Sequence, residues 1–236
     1  MIDLSRFPEP VKRPLRPIVQ AGRALAFHAA TLLGRQKRFS IAAGYRHREH
    51  IAYFDDVENE DEFQREVYLA ARQLMRDRKL GSVCDVGCGS GYKLVHILGE
   101  FETLGIDLPE TIARVRAKYP DRQWLAGSFD EIPVVKHDVV ICADVVEHVA
   151  DPVALMQFLV SLAASWVIVS TPDRDLVYSR SDRGWFGPPG NLAHVREWTA
   201  KEFREFVDPF LEITRHEITN EEQGTQMIVG RPRTGF

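Results

Sequence analysis

Apolar and polar positions fall into two alternating patterns from Ser82 onward. Short apolar runs at 83–86, 103–106, 123–126, 138–142 and 166–170 read as strands, and the stretches 91–99, 109–118 and 151–163 between them read as helices. Buried strands that alternate with crossover helices predict a parallel, doubly wound sheet covered on both faces. Upstream, Phe63, Val67, Ala70, Ala71 and Leu74 recur at helical spacing over 61–80, predicting a helix that leads into this sheet. Downstream, Thr199 followed three residues later by Glu202 marks a capped helix start. The β-rich runs 210–218 and 225–229, joined by a polar turn at 220–224, then predict an antiparallel hairpin. The expected fold class is α/β: a seven-stranded, mostly parallel sheet with an antiparallel C-terminal hairpin, preceded by N-terminal helices.

The first 60 residues follow a different pattern and are expected to form a basic helical extension to a domain over 61–236. Residues 17–33 are apolar enough to form a helix but contain Arg23 and His28, and they are too short and interrupted to span a bilayer. Within residues 1–50, ten Lys/Arg stand against Asp3, Glu9 and Glu49, a net +7 that leaves −11 for the remainder. A basic arm of this kind is either a solvated or packed segment, or a peripheral contact through residues 10–38 with an anionic surface such as a membrane. At 44% hydrophobic and 27% charged, the chain has the composition of a folded globular protein. Cys84, Cys88 and Cys142 form no CxxC pair and have no nearby His at metal spacing, so neither a metal site nor a disulfide framework is expected, and a reducing cytoplasm is the expected setting.

Candidate chemistry concentrates at strand ends. Asp85-Val86-Gly87-Cys88-Gly89-Ser90-Gly91 runs from a strand through three glycines into a helix, where backbone can approach a ligand and free N–H groups suit an anion. Tyr92 stands where a dinucleotide fingerprint needs its third glycine, and Lys93 lacks the flanking Gly and Ser/Thr of a phosphate loop. Twenty residues after Gly87, Asp107 closes the second strand, where a carboxylate accepts hydrogen bonds from a ribose diol.

These runs, with Gly105-Ile106-Asp107, Ala126-Gly127-Ser128-Phe129 and the stretch Asp138 to Pro152 containing Asp144-Val145-Val146-Glu147-His148-Val149, resemble the class I S-adenosylmethionine-dependent methyltransferases, in order and spacing, over residues 62–230. The resemblance implies a Rossmann-like fold and S-adenosylmethionine as cofactor. It implies that Asp85, Gly87, Cys88, Gly89 and Gly91 hold the methionine part, Asp107 and Leu108 the ribose, and Ser128 and Phe129 the adenine, with Asp144 beside the transferable methyl. Ser128 departs from the Asp found in many relatives and accepts more weakly from the adenine amino group. A narrower likeness, carried by Tyr92-Lys93-Leu94, by Phe63-Gln64-Arg65-Glu66-Val67-Tyr68 and by the run Gly187 to Trp198, is to bacterial methyltransferases associated with glycosyltransferases.

Methyl transfer from a sulfonium is an in-line displacement, so the protein mainly positions the reactants, and a base is needed only where the acceptor must lose a proton. His194, in a Pro/Gly-bounded loop, is either that base, together with Asp144 as a catalytic group, or a brace beside Arg196 with Trp198 as an anchor. Tyr92, His148, Trp185, Asn191 and Arg196 are the expected substrate contacts. The expected acceptor is a hydroxyl of a glycan or small metabolite. The alternative is a protein lysine entering past Asp144, Glu147, Tyr178, Trp185 and Phe186. A nucleic-acid acceptor is not expected, because Cys142-Ala143-Asp144-Val145 stands where an Asn/Asp-Pro-Pro-Tyr element would.

Overall fold

A computed structural model describes residues 8–52, 58–129, 131–179 and 186–233. Seven strands form one sheet: β1 (Ser82–Val86), β2 (Glu102–Asp107), β3 (Gln123–Ala126), β4 (His137–Ala143), β5 (Ala163–Pro172), β6 (Leu211–Asn220) and β7 (Thr225–Pro232), in the spatial order β3-β2-β1-β4-β5-β7-β6. Strands β1 to β5 pair in parallel, and β7 runs antiparallel to both β5 and β6. The expected hairpin is therefore present and is the antiparallel edge of the sheet.

The strand period of two sorts side chains onto opposite faces. Cys84, Val140, Cys142 and Val169 enter one core with Leu155 and Leu159 of α5 (Pro152–Leu162) and Phe203 and Phe206 of α7 (Ala200–Val207). Val83, Val139, Ile141 and Ile168 enter the other with Val67, Ala71 and Met75 of α2 (Arg65–Arg78) and Ile112 and Val115 of α4 (Pro109–Lys118). Each fully buried aliphatic or aromatic side chain contributes about 1.5–3 kcal/mol. The capping box at Thr199 is formed, its hydroxyl accepting from Glu202 N while Glu202 reaches back to Thr199 N.

Three local expectations need correction. The helix expected over 91–99 is only α3 (Tyr92–His96), because Ile97 and Leu98 turn into the core and Gly99 follows. Gln64, at φ +57°, breaks the helix expected over 61–80, so α2 starts at Arg65 and Phe63 lies outside it. The N-terminal helix α1 (Glu9–Leu32) is longer than expected: Pro10 suits its first turn, and Pro14 and Pro17 each forfeit one ladder hydrogen bond without ending it.

The segment after α1 is stitched to the sheet domain. Ile41 is buried in the first core, Ala42 N donates to Glu202 Oε1 (2.9 Å), Arg46 N to Phe186 O (2.8 Å) and Arg48 N to Val195 O (2.7 Å). Phe27 of α1 packs on Phe186 with ring centroids 5.1 Å apart.

Candidate active site

A cavity of about 650 Å³ opens at the carboxyl ends of β1, β2 and β4, where a doubly wound sheet places its ligands. One wall is the glycine turn. Gly87 has φ +79°, and a Cβ there would lie 2.4 Å from Val145 Cγ2, so only glycine lets this backbone form the wall. Its N–H and that of Cys88 donate to Ile106 O at 2.8 and 3.2 Å, pinning the turn to β2.

Asp107, at the tip of β2, lines the same wall. Its Oδ2 accepts from Gly89 N at 2.9 Å and its Oδ1 from Leu108 N at 2.7 Å. Burial pushes its carboxyl above the usual aspartate range, and the Gly89 and Leu108 amides pull it partly back. Leu108, Ser128 and Phe129 continue the wall, with the Phe129 ring 6.2 Å from Phe158. Glycine backbone, a strand-end carboxylate and an apolar slot suit the amino-acid, ribose and adenine parts of S-adenosylmethionine in turn. Asp85, Cys88, Gly89 and Gly91 do not line the cavity. Asp85 is fully buried and accepts from Tyr68 Oη at 2.8 Å, Cys88 packs in the second core, Gly89 is tied to Asp107, and Gly91 backs onto Trp124, so these four shape the turn from behind.

The opposite wall is polar and comes from the exit of β4. Asp144 has φ +53°, a left-handed conformation that aspartate tolerates better than most residues. Its carboxylate accepts from Ser170 Oγ at 2.5 Å, and burial raises its pKa. Glu147 is fully buried; Oε2 accepts from Thr171 Oγ1 at 3.0 Å, and Oε1 accepts no hydrogen bond from the described residues. Burial, reinforced by the Asp144 charge, pushes its carboxyl well above the usual glutamate range.

Two imidazoles face this carboxylate. His148 Nδ1 donates to Ala193 O at 3.0 Å, which leaves Nε2 as the basic nitrogen. Burial, and then the neighbouring His194, lower its pKa to about 4. His194 Nδ1 donates to Glu197 Oε1 at 2.7 Å, while Nε2 accepts from Asn191 Nδ2 at 3.0 Å. Asn191 is oriented in turn by Ala193 N, which donates to its Oδ1 at 2.9 Å. The two rings lie 4.8 Å apart, edge to face. Glu147, His148 and His194 each bring a ligating atom within 4.8 Å of the others, an arrangement that sequence spacing did not suggest.

Two expected substrate contacts are placed elsewhere. Tyr92 packs against His96, its ring tilted and the centroids 4.3 Å apart, and is absent from the cavity wall, because its ring turns toward the next turn of α3. Arg196 is buried, donates to Val149 O and Ala150 O at 2.8 Å each, and lies 4.6 Å over Phe39, so it braces the loop. Trp198 is the anchor, fully buried and stacked on Phe206 at 5.3 Å. Tyr178 Oη accepts from Gly190 N at 2.6 Å and does not line the cavity, and neither does Phe186. Trp185 lies outside the described residues. Phe63, Gln64, Lys93, Val177 and Gln223 line the cavity without having been anticipated as site residues. Lys93 is nearly buried, and its Nζ donates to Glu60 O at 3.2 Å.

A family model described as "Methyltransferase domain" matches residues 57–210. Among curated proteins, a ubiquinone biosynthesis O-methyltransferase of Leptothrix cholodnii is 34% identical over 39% of this chain and 45% of that protein. Its counterpart in Bordetella bronchiseptica is 30% identical over 39% and 43%. The chain thus spans less than half the length of these relatives. Among solved structures, magnesium protoporphyrin IX methyltransferase from Synechocystis PCC 6803 with bound SAH superposes with a TM-score of 0.57 at 19% identity, covering 72% of this chain and 83% of that one. The same enzyme with bound SAM gives 0.55 at 16% identity, covering 89% and 97%. With the glycine turn, the strand-end acid and the family match in agreement, the chain belongs to the methyltransferase-domain family.

Proposed function

We propose that this chain methylates a hydroxyl of a small organic acceptor. The observation that carries the reading is the continuity of one cavity: Gly87 and Asp107 line one wall, Glu147, His148 and His194 the other, and Ile51, Phe63, Val149 and Val177 flank the space around them. Residues Gly87, Asp107, Leu108, Ser128 and Phe129 hold the cofactor, which supplies an electrophilic methyl on a sulfonium. The mostly apolar flank suits a flat or hydrocarbon-rich acceptor with one polar end, whereas a glycan would ask for polar partners along its whole length. The names of the ubiquinone and porphyrin methyltransferases support a small-molecule acceptor and lend nothing to a glycan. The lysine alternative loses Tyr178 and Phe186 from its aromatic entrance, since neither lines the cavity.

The polar end would orient the hydroxyl. Glu147 Oε1 is an acceptor still open to it, and His148 presents an imidazole that burial keeps neutral at physiological pH. His194 acts as a positioning group, because Asn191 occupies its Nε2 and Glu197 its Nδ1.

The chain would meet such an acceptor at an anionic membrane surface. Val11, Ile18, Leu25 and Leu32 recur every seventh residue along α1 and are 42%, 66%, 72% and 87% exposed, and the same helix carries Lys12, Arg13, Arg16 and Arg23. An apolar stripe with basic neighbours binds the headgroup boundary of anionic lipid. No described helix is long and apolar enough to cross a membrane. Cosedimentation with vesicles containing phosphatidylglycerol, lost in Ile18→Asp/Leu25→Asp and in pure phosphatidylcholine, is the expected result.

To test the acceptor class, the purified protein is incubated with methyl-labelled S-adenosylmethionine and a cell lysate, and the label is fractionated. Label in an organic-extractable small molecule supports the reading. Label in one protein band replaces it with lysine methylation, and label in polysaccharide replaces it with a glycan acceptor.

A further inference from the structure

We infer that Glu147, His148 and His194 form a binding site for one divalent transition-metal ion, placed between the cofactor wall and the acceptor end of the cavity. The ligating atoms lie within 4.8 Å of one another. Donors bound at about 2.1 Å from one ion lie about 3–4 Å apart, so the cluster closes on an ion through side-chain shifts of about 1 Å. Glu147 independently points to a cation. Its side chain is fully buried, Oε2 is spent on Thr171, and Oε1 accepts nothing from the described residues. A buried carboxylate oxygen without a donor is costly unless a positive charge meets it.

The imidazoles are set up as ligands. Metal-bound histidines characteristically donate their second ring nitrogen to a carbonyl or carboxylate, which fixes the tautomer. His148 Nδ1 donates to Ala193 O and His194 Nδ1 to Glu197 Oε1, so both carry the lone pair on Nε2. Four carboxylates, Asp107, Asp144, Glu147 and Glu197, line the cavity, and among the described lining residues Lys93 brings the one ammonium. Asn191 Nδ2 occupies His194 Nε2 at 3.0 Å, and because Asn191 is exposed, one side-chain rotation frees that nitrogen. Two imidazoles and a carboxylate on one side of an open cavity leave positions for an acceptor oxygen, with zinc(II), cobalt(II) and iron(II) as the ion class.

The ion's role rests on the O-methyl-transfer reading; the site itself rests on the geometry. A divalent ion here polarises the acceptor hydroxyl, whose proton leaves to water. The oxygen then forms its bond to the methyl carbon as the carbon–sulfur bond breaks, with that bond's electron pair remaining on sulfur.

The test is titration of tag-free, chelator-treated full-length protein with cobalt(II), followed by its visible absorption, alongside calorimetry with S-adenosylhomocysteine. One equivalent should bind saturably. Glu197→Gln, which removes the carboxylate behind His194, should weaken cobalt binding about 10–100-fold. Glu147→Gln should weaken it at least as much, with S-adenosylhomocysteine affinity unchanged as proof of folding. Asn191→Asp keeps the acceptor for Ala193 N and exchanges the competing amide for an anion, so it should tighten cobalt binding. Absence of saturable binding, or equal affinity in wild type and Glu147→Gln, overturns the site. If cobalt binds but no hydroxyl is methylated, the O-methyl reading fails and the site stands. If chelator-treated protein methylates a hydroxyl at full rate, the ion has no part in the reaction.

Discussion

Replacing Asp107 by alanine tests the cofactor wall at its most specific point. Oδ2 already accepts from Gly89 N and Oδ1 from Leu108 N, and the Thr111 side chain also hydrogen-bonds this carboxylate, so one of its four lone pairs is left for a ribose hydroxyl. A hydrogen bond to a charged partner contributes about 1.5–3 kcal/mol, which is the cost of losing this one. That is a loss of roughly 10- to 150-fold in affinity. Calorimetry with S-adenosylhomocysteine reads it directly, and a 2′-deoxy analogue isolates the contact: it should bind wild type about 10- to 100-fold more weakly than the parent ligand, yet bind Asp107→Ala equally well. Because burial raises the Asp107 carboxyl, wild-type affinity should begin to fall on acidification at a higher pH than an exposed aspartate would give. An Asp107→Ala affinity within about threefold of wild type, or the same deoxy penalty in both proteins, would refute a ribose contact here.

Gly87→Ala should abolish measurable S-adenosylhomocysteine binding and lower stability by about 1–3 kcal/mol, since its Cβ meets Val145 at a positive φ; thermal denaturation and calorimetry check both effects. Arg196→Ala should lower stability by about 2–4 kcal/mol through two lost carbonyl bonds and the Phe39 contact, with cofactor affinity unchanged. His194→Ala should depress methyl turnover at least about tenfold while leaving S-adenosylhomocysteine affinity near wild type, in single-turnover assays against calorimetry. In metal-free protein, His148 should titrate by NMR near pH 4. Its folded pKa lies below the unfolded value of about 6.5, so the unfolded chain binds the proton first and stability falls between those pH values by roughly 3 kcal/mol. His148→Gln should remove that component, and the wild-type minus variant difference isolates it from the opposing protonation of Glu147.

The sheet was legible because the apolar runs of β1, β4, β5 and β7 are buried on both faces, a local signal; 109–118 and 123–126 match α4 and β3 residue for residue. Helix termini were less legible. Gln64 takes a left-handed conformation that its residue type does not announce, and this moves Phe63 from the expected helix face to the cavity. The cavity wall was legible where a residue's position is fixed by backbone geometry, as at Gly87 and Asp107. At Asp85 strand period turns the side chain inward to Tyr68, away from that wall. Arg196 illustrates a different limit, since an arginine beside a loop histidine reads as a substrate contact until the carbonyls of Val149 and Ala150 are seen to claim it. The grouping of Glu147, His148 and His194 depends on packing the loop after β5 against the exit of β4, contacts between segments far apart in sequence, which no local spacing encodes.

The central claim, that a hydroxyl of a small molecule receives the methyl group, is tested most directly by carbon-13 NMR of the product formed from S-adenosylmethionine labelled in its methyl carbon, because the resonance reports the atom to which that carbon is bonded. The account predicts an oxygen-bound methyl on an extractable small molecule. A nitrogen-bound methyl that stays with the protein fraction would contradict it.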